Sequence, residues 1–424
     1  KEPFDTYLHS VHGQSFKEGN RNAAICSDCH GTHDLHAASN PDSKIYRARV
    51  PATCGKCHEN VQSVYNRSIH GKAVAAGIKE APVCTDCHGE HTIRAVKDPS
   101  STVWKGAVTR TCAGCHSSEK LTRKFGLPAD RLATFQDSYH GLAGKGGDFT
   151  AANCASCHGW HDVLPSYDTG SSIHPKNLPQ TCGKCHPGAQ SKLAQGTIHG
   201  GSKVRKHFVL GWVETFYLFL IPLVIGGMLL HNITDYWRKA LMYPAGHEHA
   251  GHGFGTLRMN GNERIQHALL MTSFIVLAYS GFALKFPDAW WAEPFQATGG
   301  ELARKSVHRW TALCFSLVGI YHIGYMVLTR RGRFMLRHRL MPKLKDLFDP
   351  VRLMMFNVGI SQKKPKIAYP SYIERSEYWA LVWGSIIMIA TGALLVFNDY
   401  TLKNFPLWVA DLATMIHFYE AILA

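Results

Sequence analysis

"CSDCHGTH" occupies residues 26–33, and the same phrase returns as "CTDCHGEH" from Cys84 and "CASCHGWH" from Cys154. Each copy has two Cys, a His directly behind them, a Gly, and a second His three residues after the first. Cys-x-x-Cys-His occurs six times, beginning at Cys26, Cys54, Cys84, Cys112, Cys154 and Cys182, and uses 12 of the 13 Cys. This is the attachment signature of c-type haem: two thioethers to the porphyrin and the next His on the iron. The thioether positions are Cys26 and Cys29, Cys54 and Cys57, Cys84 and Cys87, Cys112 and Cys115, Cys154 and Cys157, Cys182 and Cys185. The proximal ligands are His30, His58, His88, His116, His158 and His186. Zinc ribbons would need four ligands per site and no His at the fifth place of every motif.

The motifs fall into three repeats. The first and second are 28 residues apart (26 to 54), as are the third and fourth (84 to 112) and the fifth and sixth (154 to 182). Fourteen residues before each odd motif stands a His-Gly pair, in "SVHG" (His12), "SIHG" (His70) and "SYHG" (His140). A His three residues beyond a proximal ligand cannot reach the opposite face of the same haem. His33, His91 and His161 are therefore expected to serve the second haem of each pair, and His12, His70 and His140 the first. A fourth "HG", at His199, is left over, so either His12 or His199 is expected to be the spare ligand. His9, His36 and His174 do not repeat and read as surface residues. Residues 1–200 read as a hexahaem domain with short helices, little regular structure and haem in place of an apolar core.

From Phe208 the composition changes. Membrane spans are expected from Phe208, Ile265, Ser306 and Glu377, with a fifth from Leu407 that meets the chain end after 18 residues. Residues 201–424 read as an all-α transmembrane bundle of about five helices. We expect a leader to have been removed before Lys1 and further chain to follow Ala424. The formal charge is +15. Residues 1–200 carry 22 Lys+Arg against 17 Asp+Glu, and residues 201–424 carry 24 against 14, so the excess follows the membrane half rather than a nucleic-acid-binding face. Haem c attachment occurs outside the cytoplasm, which puts the first domain on the periplasmic side. The positive-inside rule agrees: residues 330–375 have 12 Lys+Arg and 3 acids, residues 287–304 one Arg and 3 acids.

Intramembrane His default to function. His308 and His322 share one span 14 residues apart, ~21 Å of helix rise and within roughly 40° of one face. One helix can thus hold ligands for two b haems. His308 and His417 fall in the outer third of the membrane, and His231, His267 and His322 in the inner third. Glu420, one turn from His417, and Glu263, with Glu214 behind them, are candidate proton acceptors. Cys314 reads as a small buried residue, and "GHEHAGHG" (246–253) as a solvated inside loop.

"ERIQHALLMTSFIVLAYSGFALKFP", "SVHRWTAL" and "EYWALVWGSIIMIATGALL" resemble the dihaem cytochrome b subunits of formate dehydrogenases, nickel–iron hydrogenases and thiosulfate reductases, over residues 263–424. With the multihaem domain in front, the chain resembles the inner-membrane cytochrome bc quinone oxidoreductases of metal-reducing bacteria. The resemblance implies His267 and His308 as ligands of different b haems, with His417 opposite His308. The family's second ligand on the last helix would lie beyond Ala424, which leaves His231, His322 or a later residue as the partner of His267. Two b haems are expected, with His231 and His322 as a possible third site. The expected function is quinol oxidation in the bacterial inner membrane, with electrons passing through b haems and six c haems to a periplasmic acceptor. The alternatives are an electron-transfer subunit of a larger complex, in which an iron–sulfur or catalytic subunit feeds the c haems and quinone is reduced, and a multihaem terminal reductase. In each case no nucleic acid is a partner.

Overall fold

A computed structural model describes residues 2–188, 190–193, 199, 207–242, 259–367 and 369–424. The "GHEHAGHG" loop lies outside the described residues. All regular structure among them is helical. The chain divides into two units, Lys1–Val204 with Leu284–Ala303, and Arg205–Ala283 with Arg304–Ala424.

The first unit is built from short helices, and its repetition is visible atom by atom. In every repeat a Ser caps the His-Gly helix: the Ser10, Ser68 and Ser138 hydroxyls accept from the backbone N–H groups of Gly13, Gly71 and Gly141. Those glycines lie where the helix crosses the one before it. A Cβ on Gly13, Gly71 or Gly141 would fall on the carbonyl oxygen of Tyr7, Tyr65 or Phe135. The motif helices Cys26–His30, Cys84–His88 and Cys154–His158 all stop at a Gly with positive φ, at +92°, +79° and +85°. With ψ near 180° that backbone is open essentially to Gly alone. The Gly of "CHGxH" thus ends the motif helix and turns the second His away from the His of its own motif.

Adjacent repeats interlock. The Val11 N–H donates to the Ile93 carbonyl, and one repeat later Ile69 N–H donates to Val163, both two residues past a Gly-x-His (2.8 and 2.9 Å). Arg47 reaches Asp86 and the Ala81 carbonyl, and Asn153 reaches the Lys105 carbonyl. The buried apolar side chains of this unit are few and mostly small, Val50, Val83, Val108 and Ala143 among them. The protein alone supplies little core here. The segment Leu284–Ala303, which the sequence places in the membrane half, packs with this unit instead. Lys145 pairs with Asp288 at 3.0 Å, and the Glu301 N–H donates to the Gly146 carbonyl at 2.6 Å.

In the second unit four described helices are long and apolar enough to cross a membrane: Phe208–Leu241, Gly261–Lys285, Gly300–Leu328 and Tyr372–Val396. The expected fifth span is a helix, Leu407–Leu423, of 17 residues. Its rise of ~25 Å is short of a ~30 Å hydrocarbon core. It packs along Phe208–Met242 and Tyr372–Val396. Cys314, expected to be buried, is exposed on the Gly300–Leu328 helix. Asp346 and Arg375 form a paired, largely buried ion bridge (2.7 Å on both oxygens) where the chain enters the fourth span.

Candidate functional site

The structure brings the His of each Cys-x-x-Cys-His face to face with a second His. The pairs are His30 with His91, His58 with His12, His88 with His161, His116 with His70, His158 with His199, and His186 with His140, at ring-centroid separations of 6.0–6.3 Å. An imidazole nitrogen sits about 2.0–2.1 Å from a transition metal, and the ring centre lies roughly 1.1 Å behind it, so two imidazoles on opposite sides of one ion have centres about 6.3 Å apart. The spacing fits an iron between each pair. Among the described residues, no three or more His, Cys, Asp or Glu converge as a bare metal site. Each pair would offer two opposed imidazoles to an iron, with the two Cys of its motif in the same short sequence stretch.

The pairing differs from the sequence expectation. His12, His70 and His140 face the second motif of their own repeat. His91 and His161 face the first motif of the preceding repeat, because the positive-φ Gly sends them across the seam. His199 completes the row by facing His158, and it is held for this: its Nδ1 donates to the Arg131 carbonyl at 3.1 Å, leaving Nε2 free. Both His12 and His199 thus stand opposite a motif His. His33 is exposed and faces no second His among the described residues. Burial, with His116 beside it, pushes the His70 pKa down to about 4, and burial also lowers His12, His140, His158 and His199. Neighbouring motifs are adjacent: Cys54 lies beside Cys84, and Cys112 beside Cys154.

A seventh pair lies in the second unit. His308 and His417 are 6.4 Å apart between ring centroids. Their tautomers follow from two hydroxyls. Ser280 donates its proton to the Val276 carbonyl (2.7 Å), so its oxygen accepts from His308 Nδ1 (2.8 Å). Thr391 donates to Ile387 (2.7 Å) and accepts from His417 Nδ1 (2.9 Å). Each ring then keeps a bare Nε2 for a metal. Gly281 and Gly392 sit beside the two rings, where a Cβ would come within 3.6 and 3.3 Å of them. Arg304, one turn above His308, is buried and donates to the Ser280 carbonyl.

Among the described residues, the inner histidines are not brought into a facing pair. His231 Nε2 bonds the Tyr372 hydroxyl (2.6 Å). His322 lies between Gln266 (2.8 Å) and the Tyr378 hydroxyl (3.2 Å). His267 is exposed on its helix. The candidate proton acceptors separate sharply. Glu263 caps its own helix, accepts from the Tyr325 hydroxyl and is clamped by Arg331 at 2.7 and 2.9 Å, a structural carboxylate. Glu420 is buried and accepts from the Tyr217 hydroxyl at 2.9 Å, and no ion pair to it is seen among the described residues. Tyr217 carried no sequence signal, because its partner is 203 positions away.

No curated protein and no solved structure matches the chain. Residues 258–424 match the family model of prokaryotic cytochrome b561, whose members bind b-type haem. The His308–His417 pair lies inside the matched stretch. The match supports a membrane cytochrome b domain in the C-terminal region.

Proposed function

We propose that the chain is a membrane quinol oxidoreductase of the bacterial inner membrane that delivers electrons, through b haem and six periplasmic c haems, to a periplasmic acceptor or partner subunit. The observation that carries this reading is the set of six facing pairs, each joining a Cys-x-x-Cys-His histidine to a second His, in a chain that continues into a membrane cytochrome b domain. Bound haem supplies a one-electron iron couple at each pair. The chain's own residues do the rest. The Cys pairs would tether the haem, and the two facing imidazoles would both hold its iron, which suits electron transfer better than substrate binding. A terminal-reductase reading fits less well for that reason. Ser280 and Thr391 orient the b ligands, and Glu420 with Tyr217 offers a buried carboxylate one turn from His417 for a proton released by quinol.

The test is the haem content and the quinol reaction of the purified full-length protein. Six covalent haems per chain are expected, with extractable b haem beside them, and a quinol analogue should reduce both kinds. Fewer than five covalent haems, or c haems that quinol leaves oxidised while dithionite reduces them, would overturn the reading.

A further inference from the structure

Between the third and fourth spans the chain forms a helical turn, Leu344–Leu347, and a helix, Asp349–Asn357, that carry two apolar faces. One face is covered by protein. Leu353 and Phe356 pack with Tyr372 at the start of the fourth span, and the Arg238 guanidinium lies over the Phe356 ring at 5.0 Å. The acids turn the same way: Asp349 is buried, and Asp346 is held by Arg375. The other face is open. Leu344, Leu347, Phe348, Val351 and Met355 are between 41% and 77% exposed, and they fall at i, i+3, i+4, i+7 and i+11, one stripe of a helix. At about 100° per residue, Lys345 and Arg352 border this stripe on one side and Lys343 on the other, all three exposed. The segment is also fixed in depth. The fourth span has 25 residues, a rise of ~37 Å, and so exceeds a ~30 Å hydrocarbon core by roughly two to three residues at each end. Arg375 therefore sits at the edge of the core, and it holds Asp346 at 2.7 Å. Trp379, a turn deeper, donates to the Leu340 carbonyl at 2.9 Å.

We propose that this stripe lies in the plane of the bilayer surface and that Lys343, Lys345 and Arg352 bind the headgroups of anionic phospholipids there. The inference rests on the membrane reading of the second unit, and on neither the quinol chemistry nor the c haems. The occupant follows from depth and charge. At the edge of the hydrocarbon core the apolar phase beside an open stripe is lipid, and Lys and Arg stems can lie along it while their charges reach headgroup level. Residues 330–375 carry 12 Lys+Arg against 3 acids. Asp346 and Asp349 face inward, and Glu374 caps the fourth span by accepting from the Ser371 N–H. No acid of this stretch is thus left to offset the cations beside the stripe, and the charge they present attracts phosphate.

The test places the purified full-length protein in nanodiscs of phosphatidylcholine alone, or of equal parts phosphatidylcholine and phosphatidylglycerol. Leu347→Cys and Val351→Cys are each treated with a charged maleimide, and peptide mass separates the introduced thiol from Cys314. Rates are taken relative to Gln362→Cys, an exposed site off the stripe, which corrects for the charge of the lipid surface. In the mixed lipid both stripe positions should react at least tenfold more slowly than Gln362→Cys, and in phosphatidylcholine alone the protection should be several-fold weaker. Combining Lys343→Gln, Lys345→Gln and Arg352→Gln should abolish the difference between the two lipids. Reaction at the Gln362→Cys rate in both lipids overturns the proposal and marks the stripe as a face for a protein partner. Equal protection in both lipids overturns it too, since acyl chains would then cover the stripe with no recognition of the anionic headgroup.

Discussion

Two glycines on one seven-residue helix, Tyr139–Lys145, should respond in opposite ways to the same added methyl. A Cβ on Gly144 meets nothing within 4 Å. Gly144→Ala should therefore be neutral or stabilising, by up to ~1 kcal/mol, because Ala is the better helix former. A Cβ on Gly141 would fall on the Phe135 carbonyl oxygen and 2.7 Å from Gln136 Cα. Both are backbone atoms, so no rotamer change relieves the contact. Restoring the ~3.5–4.0 Å optimum between carbons requires the two helices to part by roughly 1 Å. Overpacking of this kind costs ~1–3 kcal/mol, which outweighs the propensity gain. The displaced residue beside it is His140, which faces His186. A shift of ~1 Å is half the length of an iron–imidazole bond of about 2 Å, enough to loosen that ligand. In the purified full-length protein, Gly141→Ala should lower the unfolding midpoint and introduce a high-spin ferric fraction amounting to at most one haem in six. Gly144→Ala should show neither. Indistinguishable behaviour of the two variants would refute the close-crossing argument.

Three further outcomes follow from the geometry. His91→Ala should make the haem on Cys26 and Cys29 high-spin rather than that on Cys112 and Cys115, which can be read in a Cys26→Ala, Cys29→Ala background lacking the first haem: there His91→Ala should add no high-spin haem, and one added would show that His91 serves another site. His308→Leu should remove one b haem and slow c-haem reduction by quinol by orders of magnitude, with all six c haems still attached and reducible by dithionite; a normal quinol rate would exclude the b haem from the route. Arg375→Ala should destabilise the membrane unit by ~3–5 kcal/mol, since it leaves the largely buried Asp346 carboxylate without its bidentate partner, measured as a lower midpoint of thermal aggregation in detergent; a change under ~1 kcal/mol would show that water reaches Asp346.

The sequence alone determined the elements whose physics is local. Thioether attachment needs two Cys and a His within five residues, so the six motifs and their 28-residue spacing are legible as text. Long apolar runs announce membrane helices, and the match over residues 258–424 agrees with the cytochrome b reading of that half. Histidines at His12, His70 and His140 could be recognised as a set, because the Ser cap and the close-packed Gly recur around each. What tertiary structure decided is which ligand meets which. The three-residue step from His88 to His91 is the same whether His91 turns toward its own repeat or away from it; the Gly89 backbone at φ +79° and the Val11–Ile93 hydrogen bond choose the preceding repeat. That choice shifts the whole row by one site, so His199 becomes a member and His33 the remainder. Similarly, Glu263 and Glu420 look alike in the sequence as acids near membrane histidines. Arg331, 68 residues on, neutralises the first, and only the packing of the Leu407–Leu423 helix along Phe208–Met242 buries the second against Tyr217, because contacts between distant helices leave no periodic trace in either one.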